Sequence, residues 1–147
     1  MHSEKQELAS AIRDAEKLHG HLGAFLVIGV RMGKIAKKTL NQDTKKNDKL
    51  HAMAEIPLFP PFSCVLDGIQ ASTQCTIGNQ RLKVKNSKKQ IAVSFKLKNS
   101  NRVLKVYANQ EVIESLINKI SKGFSNEELA HEIVLMPETQ LFKIEKR

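Results

Sequence analysis

The residues best suited to chemistry fall in two short stretches. The first is "HGHLGAFLVIGVRMG", residues 19–33, where His19 and His21 flank Gly20. In a turn or extended segment a His-x-His pair can offer both imidazoles to one metal ion; on a helix the two rings diverge by about 200°. The simpler alternative is one exposed histidine and one acting as a helix cap. The second stretch is "CVLDGIQASTQCTIGNQ", from Cys64, with Asp67 and Gln70 between Cys64 and Cys75. The ten residues separating the cysteines exclude the C-x2-C spacing of a zinc knuckle. Each cysteine could instead be a small buried apolar residue. A thiol at a helix start could also have a depressed pKa, which makes Cys64 and its neighbour Asp67 the catalytic candidates. Arg31 could pair with an acid such as Glu55 or hold an anionic ligand; the plainer reading is a structural ion pair.

Helices and strands must position these residues. Ser3 with Gln6 three residues on has the form of a capping box, opening a helix whose apolar positions include Leu8, Ile12 and Ala15 and which Gly20 would close. Leu22–Leu40 is a second helix with an unusually wide apolar surface. Its Gly23, Gly29 and Gly33 suggest the close approach of a backbone or a ligand. "KKTLNQDTKKNDK" is an exposed connection. "LHAMAEIP" alternates as a strand does, "PLFPPF" is a stiff loop, and Ser63 could cap a short helix. "RLKVK", "QIAVSFKL" and "RVLKVYA" read as an antiparallel meander with lysines toward solvent. "NQEVIESLINKIS" is an amphipathic helix stopped at Gly123. Ser125 caps another, ended by Pro137, and "TQLFKIEK" is a last edge strand. Helices, then strands, then helices make an α+β fold: N-terminal helices packed on a mixed or antiparallel sheet, with C-terminal helices. The expectation is one domain over 1–147, with a core over about 3–108 and a helical segment over 109–147.

Composition narrows the function. An apolar fraction of 41% suits a globular chain. No apolar run approaches the ~18 residues of a membrane span. With a charged N-terminus, two cysteines and no disulfide framework, a cytoplasmic protein is expected. The net charge of +9 favours anionic partners. No acidic residue lies between Gly68 and Gln110, whereas Arg81, Lys83, Lys85, Lys88, Lys89, Lys96, Lys98, Arg102 and Lys105 all do. Phe95 and Tyr107 are the only aromatics there, so base stacking is sparse.

Taken in order, "HGHLGAFLVIGVRMG", "AEIPLF" and "CVLDGIQASTQCTIGN" followed by "RLKV" resemble the FmdE (or FwdE) family, named for a component of formylmethanofuran dehydrogenase. That family shows His-Gly-His-Leu-Cys-Pro-Gly opening a helix with Gly-Val-Arg-Met-Gly, then Cys-x-x-Asp-x-Ile-Gln and a Cys-Thr-x-Gly turn. The resemblance runs from about Leu18 to Tyr107. It implies an α+β domain of FwdE type, a homodimer, and a metal site in a cleft. Carried over, His19, His21, Cys64 and Cys75 are the expected ligands of zinc or another divalent transition metal. Asp67, Gln70, Arg31 and Glu55 are the expected supporting residues around them. Gly23 stands where the family has its third cysteine, and Ala24-Phe25 replaces the following Pro-Gly. No cysteine follows Cys75, so the cysteine-rich C-terminal module of many relatives is missing.

The resemblance implies a metal-binding protein, accessory or stand-alone, linked to one-carbon redox metabolism and possible as part of a larger redox complex. Chemistry of that kind needs a molybdenum or tungsten pterin and iron–sulfur clusters, and two cysteines cannot hold such clusters. The alternatives are a small metal- or thiol-dependent enzyme, and a nucleic-acid-binding protein using the lysine-rich strands.

Overall fold

The computed structural model describes residues 3–40 and 49–147. Helix α1, Glu4–His19, starts on a complete capping box: the Ser3 side chain accepts from the Gln6 amide, and the Gln6 side chain accepts from the Ser3 amide. Gly20 ends it in the left-handed region, at φ +101°, where a residue with a Cβ would be strained. Helix α2, Ala24–Leu40, follows after four residues and is buried on nearly every side. The polar connection after it, residues 41–48, lies outside the described residues.

Strand β1, Leu50–Ile56, leads through the proline loop to helix α3, Cys64–Thr73. Ser63 makes no side-chain cap to α3, because its own backbone is already helical (φ −64°, ψ −14°) rather than extended. Strands β2 (Leu82–Asn86), β3 (Ala92–Leu97) and β4 (Val103–Ala108) come next. Helix α4 (Gln110–Ser121), helix α5 (Asn126–Leu135), the single turn α6 (Glu138–Leu141) and strand β5 (Phe142–Lys146) complete the chain.

The sheet order is β2-β1-β3-β4-β5. The expected meander is therefore corrected. β3 and β4 do form a hairpin, but β1 lies between β2 and β3 and runs parallel to β2. The lysine-rich "KNSKKQ" carries the chain past the end of β1, where the Ser87 amide donates to the Ile56 carbonyl. Local alternation identifies strands but not neighbours, and β1 wins its place because Ala52, Ala54 and Ile56 belong on the buried face. β5 pairs with β4 as an edge strand. The fold is α+β with a mixed five-stranded sheet.

One face of the sheet is covered by α2, around which α1, α3 and α5 pack; the apolar core joins all of them. The glycines of α2 serve the contact with α3. A Cβ on Gly29 would lie 2.1 Å from the Val65 carbonyl oxygen, and one on Gly68 would lie 2.3 Å from that of Leu26. Both obstacles are backbone, so the helices cross closely only with glycine at both positions.

Candidate functional site

His19 is the last residue of α1, and the Gly20 turn sends the chain back so that His21 stays beside it. The ring centroids are 4.5 Å apart. From α3, a helix packed on both α1 and α2, Asp67 brings its Oδ2 to 2.7 Å from His19 Nδ1. The carboxylate accepts, so Nδ1 carries the proton and Nε2 of the neutral imidazole presents a lone pair. The second oxygen of Asp67 accepts from Gln70 Nε2 at 3.0 Å, and Gln70 Oε1 accepts from the Ile77 amide at 3.3 Å. A chain of hydrogen bonds thus runs from the Cys75–Gly78 loop through Gln70 and Asp67 to His19. Its spacing is legible: Asp67 and Gln70 are three apart on one helix face.

At the far end of that chain, His19 Nε2 is buried with no hydrogen-bond partner. A buried, unpaired ring nitrogen is costly and rare in folded proteins. His19, His21, Gly23 and Cys64 all line one cavity of about 40 Å³, closed on its outer side by Ile120, Asn126 and Leu129. The C-terminal helices therefore wall the cavity, a role their sequence does not announce. Phe25 and Pro61 also line it. The edge-to-face pair Phe25–Phe62, at 5.4 Å, fixes the proline loop that sets the start of α3 and so Cys64.

Cys75 does not reach this cavity. Cys64 opens α3 and Cys75 lies beyond its end, so a helix of ten residues, about 15 Å at ~1.5 Å per residue, separates them. Cys75 is fully buried and its thiol donates to the Leu50 carbonyl at 3.1 Å. It is a core residue. Cys64 is half-buried, and burial together with the Asp67 charge pushes its thiol above the ordinary value. The depressed pKa expected at a helix start is not found, since no side-chain cap or cation outweighs desolvation.

Arg31 and Glu55 are corrected as well. Arg31 Nη1 donates to the carbonyls of Ile133 and Met136, where α5 ends. Burial lowers its pKa, and Glu138 partly offsets this. It ties α5 to α2 and does not meet Glu55. Glu55 points to the other face of the sheet, 3.8 Å from Lys105. Both residues are thus structural.

Among the described residues no three His, Cys, Asp or Glu side chains are gathered as a ready-made metal site. The donors facing the cavity are His19, His21 and Cys64, with an opening at Gly23, where a Cβ would meet nothing within 4 Å.

Fold and cavity together make this an α+β domain built around one interhelical site, with a histidine pair and a cysteine as its donors. The FmdE family model, described as "FmdE, Molybdenum formylmethanofuran dehydrogenase operon", matches residues 18–145, and the chain belongs to that family. The chain is similar to the crystal structure of an FmdE-like protein of tungsten formylmethanofuran dehydrogenase from Syntrophus aciditrophicus. That match has a TM-score of 0.70 at 20% identity, covering 95% of this chain and 71% of the other. It is also 28% identical over 117 residues to a probable S-adenosyl-L-methionine-binding protein of Archaeoglobus fulgidus. The match takes in 78% of this chain but only 31% of that relative's length. No helix among the described residues is long and apolar enough to cross a membrane.

Proposed function

We propose that this FmdE-family domain binds a zinc-like divalent ion at the His19 cavity. His19 Nε2 is the principal ligand, Cys64 and His21 are the further donors, and at least one coordination position is left to water or to a ligand from outside the chain. The observation that carries this reading is the buried, unpartnered Nε2 of a histidine whose Nδ1 is held by a carboxylate. Metal-bound histidines have this arrangement, with the second nitrogen oriented by an acid. Two imidazoles and one thiol form a borderline-soft set suited to zinc or another late divalent metal. A cavity of about 40 Å³ has room for an ion and a water or two.

A bound ion would polarise a coordinated water or anion. The chain's own part is to hold His19 in one tautomer through Asp67 and Gln70, and to exclude bulk water with Ile120 and Leu129. The same size argues against an adenosyl group here: ligand pockets for such molecules hold about 300 Å³ or more. The binding named for the Archaeoglobus relative is therefore assigned to the remainder of that longer chain. A cytoplasmic homodimer, or a place in a larger redox complex, would supply the missing donor from a neighbouring chain.

The test is metal content by elemental mass spectrometry of untagged protein, beside His19→Ala. About one zinc-like ion per chain, lost in the variant while the fold persists by circular dichroism, is the expected result. Equal, near-zero content in both, after incubation with zinc and desalting, overturns the reading.

A further inference from the structure

We propose that the uncovered face of the sheet binds the phosphate backbone of nucleic acid, through a cation cluster of Arg81, Lys83, Lys96 and Lys98 around His51. The helices pack on one face only. The other face carries His51, Met53 and Glu55 of β1, all exposed or half-exposed. Across the β1–β3 ladder His51 stands opposite Lys96, and across β1–β2 Met53 stands opposite Lys83. With strands ~4.8 Å apart, lysines from β2 and β3 flank β1 about 10 Å from each other.

The cluster is concentrated rather than merely numerous. Desolvation and the charges of Arg81, Lys98, Lys83 and Lys96, in that order, hold the His51 imidazole below its ordinary pKa. On its own strand the acid sharing the face is Glu55, four residues away, which is engaged with Lys105 at 3.8 Å. Among the described residues no carboxylate pairs with Arg81, Lys83, Lys96 or Lys98.

The surface chemistry selects the partner. Met53 is the one exposed large apolar side chain of β1, β2 and β3, so the anchors that hold a protein partner are missing. A second copy would set like charge against like charge. The one aromatic on this face, Tyr107, sits under the Lys105 ammonium at 5.2 Å and offers no free stacking platform. What remains is a flat, open cation array, which suits a regularly charged backbone read without sequence preference. The cluster lies on the side of the sheet away from the His19 cavity, so it does not depend on the metal reading.

The experiment is fluorescence anisotropy of a labelled 20-bp DNA duplex against the wild type, Lys83→Gln/Lys96→Gln, and Lys5→Gln/Lys17→Gln. The last removes the same charge from α1. Four phosphate contacts give a salt slope near −3.6, a loss on the order of a hundredfold between 50 and 200 mM salt. The sheet variant should bind at least tenfold more weakly, with its slope reduced by about 2, while the α1 variant stays within twofold of wild type. The His51 titration midpoint by NMR should rise when duplex is added. Equal weakening of both variants would assign binding to net charge alone. Polyglutamate of matched charge competing as well as DNA would point to an acidic protein, and no binding at 50 mM salt would remove the site. Any of these three results overturns the proposal.

Discussion

His19 Nδ1 and Asp67 Oδ2 stand 2.7 Å apart across 48 residues of sequence, at the junction of α1 and α3. This pair orients the site. Asp67→Asn replaces the accepting carboxylate with a neutral amide, and should weaken zinc affinity by roughly 10–100-fold with the fold intact. Competition titration against a chromophoric chelator measures it. Unchanged affinity would reduce Asp67 to a structural partner of α1.

The two cysteines should separate cleanly. Cys64→Ala is expected to lower zinc affinity. Cys75→Ala should leave affinity unchanged and instead cost about 1–2 kcal/mol of stability, through a lost thiol donor and a small void in the core. Urea denaturation of both variants, beside metal titration, checks the division.

Gly23→Cys should tighten metal binding at least tenfold. Gly23 lines the cavity, and a Cβ there meets nothing within 4 Å, so the thiol can be added without rearranging the helix start. Equal affinity in wild type and variant would place the ligand set elsewhere.

Gly29→Ala and Gly68→Ala should each destabilise by about 3 kcal/mol, because the new methyl would meet backbone rather than a side chain that can turn away. As the two glycines face each other across one helix crossing, the double variant should be less destabilised than the sum. Thermal and urea unfolding read this directly.

Acid should weaken the fold through His51. Its folded pKa lies below the ordinary 6.5, so the native state resists a proton that the unfolded chain accepts. The penalty is absent well above pH 6.5 and grows as pH falls through that value. His51→Gln should therefore lose less stability than wild type between pH 7 and pH 5, measured by urea midpoints at each pH.

Elements that rest on local chemistry were legible in the chain before it folds. The Ser3–Gln6 capping box, the Gly20 stop and the Ser125 cap sit where side chains satisfy neighbouring backbone groups. The alternation of Leu104, Val106 and Ala108 gives the inner face of β4. The linked motifs also identified the family and brought His19, His21, Cys64, Asp67 and Gln70 forward together. Whatever depends on distant partners had to wait for packing. β1 displaced β2 from its neighbour in sequence, because strand order is set by which faces find cover, not by local pattern. A full helix parted Cys75 from Cys64. The end of α5 claimed Arg31, and Lys105 claimed Glu55. The wall that α4 and α5 raise over the histidines is likewise invisible in sequence, since Ile120 and Leu129 carry no mark beyond being apolar; only packing shows what they enclose.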